Sequence, residues 1–178
     1  MKTFISFFLL VLLSVGVQAQ PLVTRSGYAS FFSSTPLEDI KAENNQVQAA
    51  IDPIKKTLAF AMLMKGFLFD KDLMQEHFNE NYVESDKFPK ATFNGSYTGN
   101  VDLTKNGNYP IQVTGAITLH GVTRPLTVPA TLVVQDKFLM GQTKFFLKPA
   151  DFNIKIPALV KNNIAKEIAV TVKTDFKL

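Results

Sequence analysis

The chain has 178 residues, a formal net charge of +4 and no cysteine, and 46% of its residues are hydrophobic. This length predicts one domain with enough chain to bury a core, and the missing cysteines exclude disulfides, thiolate metal sites and thiol nucleophiles. Two histidines, His77 and His120, are too few for a three-histidine metal site, and positive charges spread along the sequence do not indicate a nucleic-acid partner.

Residues 1–19 have the layout of a secretory signal peptide. A short basic start precedes an almost wholly apolar stretch over residues 4–17, and Ala19 is a small residue at the expected cleavage point. A membrane anchor is the alternative, but the stretch is shorter than the roughly 20 residues that a spanning helix needs, and no basic stop follows it. We therefore expect cleavage after Ala19, a domain over residues 20–178, and a periplasmic or secreted protein.

Alternation of apolar and polar residues predicts β-strands along most of the remaining chain. The clearest segments are 91–98, 111–120, 126–134 and 168–177. Shorter or two-sided strands are predicted at 27–33, 46–52, 57–69, 138–147 and 152–156. Turn-forming residues separate the strands, and they predict turns at 44–45, 52–53, 105–108 and 120–121.

One segment breaks the alternation and predicts a short helix. Between residues 70 and 82, apolar side chains from Leu73 to Tyr82 recur at spacings of three to five, as they would on one helix face. Asp72, followed three residues later by Gln75, resembles a capping box. The chain therefore combines roughly eight or nine strands with one helix.

Strands of this number and one-sidedness favour an antiparallel closed β-barrel or a sandwich, and a barrel of about eight strands has room for side chains or one slender ligand. An outer-membrane barrel is a further alternative, but it would carry aromatic girdles at both interfaces. This chain has no tryptophan, four tyrosines, a helix, and Pro125 and Pro129 within one strand. We therefore expect a water-soluble barrel whose interior is apolar.

The segment 58–69 is apolar on both faces, so we expect one face to meet the interior and the other to be covered by the helix. Phe60, Met62 and Met64 alternate with smaller side chains. Phenylalanine and methionine together form an adaptable lining that suits a flexible apolar chain. Plain core packing is the alternative for each of them.

Residues with catalytic potential are few. His77 lies on the predicted helix near Glu76 and Glu80 but has no second histidine at ligand spacing, so we interpret it as a contact residue at the barrel rim. His120 is expected to be exposed to solvent in its turn. A nucleophile elbow, a phosphate-binding loop and a diagnostic carboxylate pair are all absent from the sequence, so we predict no catalytic residue, no metal and no enzyme activity.

Three basic residues would meet an anionic head group if they cluster at one mouth of the barrel. They are Arg124, Lys144 and Lys148. Ordinary solvation is the alternative interpretation for each of them.

Five sequence strings together resemble the YceI-like family of exported, lipocalin-like proteins. They are FLF at 67–69, MQEHF at 74–78, YVESDKFPKATF at 82–93, GAITLHGVTRPL at 115–126 and DFNI at 151–154. Their order and spacing match the family from about Ser26 to Leu178.

The resemblance implies an antiparallel β-barrel with a helix at its side or mouth. It also implies a lumen that binds a long isoprenoid or another extended amphiphile, such as a prenyl-quinone or a polyprenyl phosphate, and no established catalysis. By matching position, it indicates lumen-lining roles for Phe67, Phe69, Phe93, Ile117, Leu119 and Leu126, to which the alternation adds Phe60 and Met62.

The sequence-based hypothesis is an exported carrier that holds an amphiphilic lipid, with no other cofactor and with transient membrane contact. His77 and Arg124 are its candidate head-group contacts. The alternative is an exported barrel whose own phenylalanines fill the lumen and which acts through its surface.

Overall fold

The computed structural model describes residues 20–178, so the predicted signal peptide lies outside the described residues. One α-helix, α1 (Asp72–His77), continues as a π-helical turn (Phe78–Tyr82), and 3-10 turns span Met64–Gly66, Pro149–Phe152 and Ala158–Val160. The strands are β1 (Leu22–Ser34), β2 (Asp39–Asp52), β3 (Thr57–Leu63), β4 (Leu68–Phe69), β5 (Lys90–Thr98), β6 (Gly107–Leu119), β7 (Val122–Gln135), β8 (Phe138–Leu147) and β9 (Ile168–Lys177).

Eight of these strands form a closed antiparallel ring. Its order is β1-β9-β8-β7-β6-β5-β3-β2, and pairing of β2 with β1 closes it. The two-residue strand β4 pairs with β2 beyond the point where β3 ends. The predicted closed barrel with one short helix is therefore confirmed, and the sandwich alternative is wrong.

Because neighbouring strands run in opposite directions, their connections alternate between the two ends of the barrel. We call the end with connections 53–56, 99–106 and 136–137 the closed end. We call the other end, with connections 35–38, 64–89, 120–121 and 148–167, the open end. The two longest connections, one of which contains α1, both lie at the open end.

Side chains at alternating positions point inward and form two packed clusters. The cluster at the closed end contains Tyr97, Val134, Leu139 and Phe176, all of which are buried. The second cluster lies at the open end beneath α1 and contains Phe67 and partly buried aromatic neighbours. The period-2 pattern therefore identifies the inward face correctly along β5, β6, β7 and β9.

Several local predictions are wrong. Residues 152–156 form no strand, because Phe152 ends a 3-10 turn and Asn153 has a left-handed backbone conformation (φ 57°). The predicted turn at 44–45 lies within β2, where Asn44 is fully buried and its side-chain nitrogen donates to the carbonyl of Leu63 at 2.9 Å. This side-chain bond reaches the last residue of β3, and the register between β1 and β2 shifts nearby.

The helix is also positioned differently from the expectation. Its N-cap is Lys71 without a side-chain cap, and the side chain of Gln75 instead accepts a hydrogen bond from the backbone N–H of Phe69 at 3.3 Å. The outer face of β3 is not covered, since Leu63 remains half exposed. Helix α1 lies over the open end of the barrel, where Met74 and His77 line the interior space.

Candidate functional site

The interior of the barrel contains an apolar cavity of about 570 Å³. Every strand of the ring contributes to its wall, together with α1 and the connection 148–167. A volume of this size lies within the range of small-molecule sites, which are mostly apolar and concave. The cavity can therefore hold an elongated apolar molecule.

The structure places all eight sequence-predicted lumen residues in the cavity wall. They are Phe60, Met62, Phe67, Phe69, Phe93, Ile117, Leu119 and Leu126. They come from β3, β4, β5, β6, β7 and the segment before β4, so residues distant in the sequence converge on one space. Their direct contact with a ligand stays a prediction.

The cavity has a floor at the closed end. Tyr97, Val134 and Leu139 are buried there but do not line the cavity. The Tyr97 hydroxyl donates to the carbonyl of Pro53 at 3.4 Å, and burial raises the pKa of this phenol. The floor is therefore packed, and a long ligand is accommodated between it and the open end.

Four phenylalanines form an aromatic cluster under α1. Phe78 lies at the centre, with ring centroids 5.4 Å from Phe31, 5.8 Å from Phe67 and 5.0 Å from Phe69. Tilted and edge-on pairs at these distances add stabilisation beyond area burial. The cluster joins the helix to the cavity wall.

A small polar cluster crosses the open end. The ammonium of Lys71 lies 3.4 Å from Glu38, and the side-chain amide of Asn163 donates to the same carboxylate at 3.3 Å. The Ser33 hydroxyl accepts the backbone N–H of Ala165 at 2.8 Å. These contacts attach the connection 148–167 to the β1–β2 turn and to the segment before α1.

His120 is not solvent-exposed as expected, because its side chain is only 9% exposed. Its Nδ1 donates to the carbonyl of Phe152 at 2.9 Å, and its Nε2 lies 2.8 Å from a carboxylate oxygen of Glu84. The two ring nitrogens therefore link the β6–β7 turn to Phe152 and to Glu84. The hydrogen bond from His120 holds the pKa of Glu84 below its usual value.

The turn that carries His120 explains this position. His120 (φ 50°) and Gly121 (φ 72°) both adopt left-handed backbone conformations, as a two-residue hairpin requires. A Cβ at Gly121 would come within 2.6 Å of the Phe88 ring. His120 thus connects the β6–β7 turn to two other open-end segments, a role that its turn sequence alone did not indicate.

The structure separates the two predicted head-group residues. His77 lines the cavity, whereas Arg124 lies outside it and donates from Nε to the carbonyl of Asp151 at 2.9 Å. Lys148 shares a surface groove with Arg124, while Lys144 does not line that groove. The three basic residues therefore do not cluster, and only Arg124 and Lys148 share one groove.

A family model for the YceI-like domain matches residues 24–176, which is nearly all of the chain that the structure describes. The chain belongs to the YceI-like family. A UPF0312 protein of Vibrio campbellii is 33% identical over 84 residues, which cover 43% of this chain and 41% of that protein. Protein YceI of Shigella flexneri is 32% identical over 81 residues, which cover 42% and 39% respectively. The chain thus spans about two fifths of the length of these curated relatives.

Solved structures of low sequence identity share the YceI-like fold of this chain. A polyisoprenoid binding domain from Saccharophagus degradans, implicated in plant cell wall breakdown, superposes with a TM-score of 0.73 at 16% identity, covering 88% of this chain and 97% of that one. BcnA of Burkholderia cenocepacia superposes with a TM-score of 0.70 at 18% identity, covering 84% of this chain and 95% of that one. At these identities the likeness is one of fold.

Two further features of residues 20–178 concern membranes and metal ions. No helix there is long and apolar enough to cross a membrane. The same residues contain no group of three or more histidine, aspartate or glutamate side chains placed to hold a metal ion. The side chains that line the cavity are mostly apolar, with a few polar groups such as Glu38, Lys71 and His77 at the open end.

Proposed function

We propose that this YceI-like protein is an exported carrier that holds a long-chain isoprenoid or a similar amphiphilic lipid, without catalysis. The observation that carries the proposal is the apolar cavity of about 570 Å³, closed at one end by packed side chains. The solved relative from Saccharophagus degradans, a polyisoprenoid binding domain, supports the same ligand class.

The physical basis of binding is burial of the ligand's hydrocarbon chain. Each CH₂ group that leaves water contributes about 0.8 kcal/mol before the costs of immobilising the ligand. The cavity wall is formed before binding by strands of the closed ring, which reduces the ordering cost. Release needs only a membrane or a partner that offers a comparable apolar environment.

Export is part of the same proposal. Residues 1–19 have the features of a signal peptide, and the chain carries no cysteine that would react in an oxidising compartment. We place the mature domain, residues 20–178, in the periplasm or outside the cell, where a carrier would exchange ligand through transient contact with a membrane.

The alternative function, a barrel that acts only through its surface, requires a lumen filled by its own side chains. The cavity argues against this alternative, because the phenylalanines line the space without filling it. Native mass spectrometry of protein from its own host tests the difference. We expect a bound lipid of defined mass, and a lipid-free protein that also takes up no long-chain prenyl probe would refute the carrier proposal.

A pair of variants on β3 tests the location of the site. Phe60 points into the cavity, while its neighbour Ala61 points outward. Phe60→Asp should abolish uptake of a prenyl probe, because it places a charge against the hydrocarbon chain. Ala61→Asp is the matched control and should retain uptake.

Phe60→Trp provides a second measurement if the charged variant does not fold. The larger ring reduces the space in the cavity, so the affinity for long prenyl chains should fall while the thermal unfolding temperature is maintained. Undiminished uptake in both Phe60 variants would show that this residue does not line the binding site.

A further inference from the structure

Strand β7 is paired along almost its whole length on one edge but along a shorter part on the other. Towards β6, the ladder covers residues 122–134 of β7. Towards β8, it covers only residues 131–135 of β7 and 138–142 of β8. Residues 122–130 of β7 and 143–147 of β8 therefore have no ladder between them, and we call this gap the β7–β8 split. The split lies in the open-end half of the barrel.

Two prolines explain why the ladder ends. Pro125 and Pro129 are four residues apart in β7, so their backbone groups point to the same edge of the strand. The carbonyl of Pro129 accepts a hydrogen bond from the Thr143 hydroxyl at 2.7 Å, so this edge faces β8. Proline has no N–H, and two donors that a continuous ladder would need are therefore missing. The split is a direct consequence of the sequence of β7.

The wall of the barrel is thin at the split. A second groove, of about 300 Å³, lies at the split. Ile117, Leu126, Leu147 and Phe152 line both this groove and the internal cavity. One layer of side chains thus separates the two spaces at a place where no ladder holds the two strands together. Leu126 of β7 and Leu147 of β8 lie in this layer, one on each side of the split.

The groove adds polar groups that the cavity lacks. Arg124 uses Nε to bind the carbonyl of Asp151, and its two terminal nitrogens form no hydrogen bond within residues 20–178. The ammonium of Lys148 lies 3.4 Å from the carboxylate of Glu167 in a solvent-exposed pair, which is a weak interaction. Both side chains can therefore donate hydrogen bonds to an incoming group that carries acceptor oxygens.

We propose that the β7–β8 split is a side portal through which the polar end of the bound isoprenoid leaves the cavity, and that Arg124 and Lys148 bind that end through its acceptor oxygens. The inference rests on the proposed carrier function and adds the position and chemistry of the head-group site. Phosphate and quinone head groups both present such oxygens. The hydrocarbon tail stays in the cavity.

Three probes with hydrocarbon parts of similar size separate the head-group site from the tail site. They are phytane, which has no head group, geranylgeranyl diphosphate, and a naphthoquinone with a geranylgeranyl tail. We compare their affinities for the wild type and for Arg124→Gln/Lys148→Gln. Loss of two charge-assisted hydrogen bonds should lower the affinity for a probe with a recognised head group by about tenfold or more. The affinity for phytane should stay unchanged. Arg25→Gln/Lys137→Gln, near the closed end, is the matched control and should bind all three probes as the wild type does.

The outcomes distinguish the two levels of the proposal. Failure of the wild type to bind any probe, phytane included, would refute the carrier function itself. Binding of phytane, with no selective loss of either head-bearing probe in Arg124→Gln/Lys148→Gln, would overturn the portal and leave the carrier function intact. A selective loss in Lys71→Gln instead would place the head group at α1. A lower affinity for the diphosphate probe alone, or for both head-bearing probes, identifies the head group that the site accepts.

Closing the split provides an independent test, because the chain has no native cysteine. Extending the β7–β8 register places Thr127 opposite Phe146, so Thr127→Cys/Phe146→Cys would link the two edges across the split. Thr114→Cys/Thr127→Cys links residues that are already paired and is the control. Where the first pair does not oxidise, a short bis-maleimide cross-linker replaces the disulfide. Cross-linking should lower the affinity for the head-bearing probe by about tenfold in Thr127→Cys/Phe146→Cys and not in the control. Equal affinities in the two cross-linked variants would overturn the portal.

Discussion

The two ends of the barrel use the same alternating strands but enclose different interiors. At the closed end, Val134 and Leu139 are fully buried in a packed cluster, and the connections 53–56 and 136–137 are short. At the open end, the inward faces of the strands border a cavity, and the connections 64–89 and 148–167 are long. The difference indicates that alternation determines which side chains point inward. The connections determine whether those side chains pack against one another or leave a cavity.

At the open end, polar contacts between the connections add to the apolar packing beneath α1. His120 joins the segments that contain Glu84 and Phe152, and Glu38 joins those that contain Lys71 and Asn163. These polar contacts hold the connections at a few positions and do not fill the cavity between them. The closed end has continuous apolar packing instead, so the two ends should respond differently to the same kind of substitution.

The largest expected difference comes from shortening one inward side chain at each end of β8. Leu139→Ala removes a fully buried side chain from the closed-end cluster and should lower the free energy of unfolding by about 2–5 kcal/mol. Phe145→Ala should cost only about 1–2 kcal/mol, because Phe145 is only partly buried at the edge of that cluster and borders the cavity. Chemical denaturation of both variants measures the two losses. Equal losses would indicate that the cavity is collapsed in solution.

The contrast between the ends also explains which structural features could be predicted. Ala91, Phe93 and Tyr97 of β5 point inward as their alternation indicates, because a half-buried strand imposes a period of two on its side chains. The helix was predictable for a similar reason, since its apolar spacing differs from that of the strands. The eight predicted lumen residues lie in the cavity wall, although their alternation could not show whether they enclosed a cavity or a packed core.

The errors concern residues whose environment comes from distant segments. His120 was predicted to be exposed because its turn is exposed by sequence, but Glu84 and Phe152, 36 and 32 positions away, cover it. Ile154 and Ile156 suggested a strand, yet they line the cavity from an irregular connection. The four-residue spacing of Pro125 and Pro129 was the one sequence signal that could have located the β7–β8 split.

A smaller difference should appear in the dependence of stability on pH. Backbone hydrogen bonds from Lys55 and Ile54 lower the pKa of Asp52 at the closed end, and the side chain of His120 lowers that of Glu84 at the open end. A carboxyl whose pKa is lower in the folded chain stabilises the fold above its unfolded pKa and loses that contribution as the pH falls through the folded value. In Asp52→Asn and in His120→Asn, the free energy of unfolding should therefore fall less steeply than in the wild type as the pH drops below the usual pKa values of carboxyl groups.

Hydrogen exchange at neutral pH assigns each of these effects to one end of the barrel. His120→Asn should increase exchange in residues 83–88 and 149–153, because it releases both of its partners. Asp52→Asn should leave those segments unchanged, because its amide oxygen can still accept bonds from the 53–56 turn. An acid profile identical to that of the wild type in both variants would contradict the assigned causes.

The smallest expected effect concerns an exposed ion pair at the open end. The ammonium of Lys65 lies 2.6 Å from Asp86, with the two side chains 62% and 90% exposed, and the pair links the turn after β3 to the segment before β5. Exposed pairs contribute about 0–1 kcal/mol, so Lys65→Ala should change the free energy of unfolding by about 0.5 kcal/mol or less. Lys105→Ala, which removes an exposed pair with Asp102 at the closed end, is the matched control. A markedly larger loss for Lys65→Ala than for the control would mean that ion pairs as well as buried polar contacts hold the open-end connections in place.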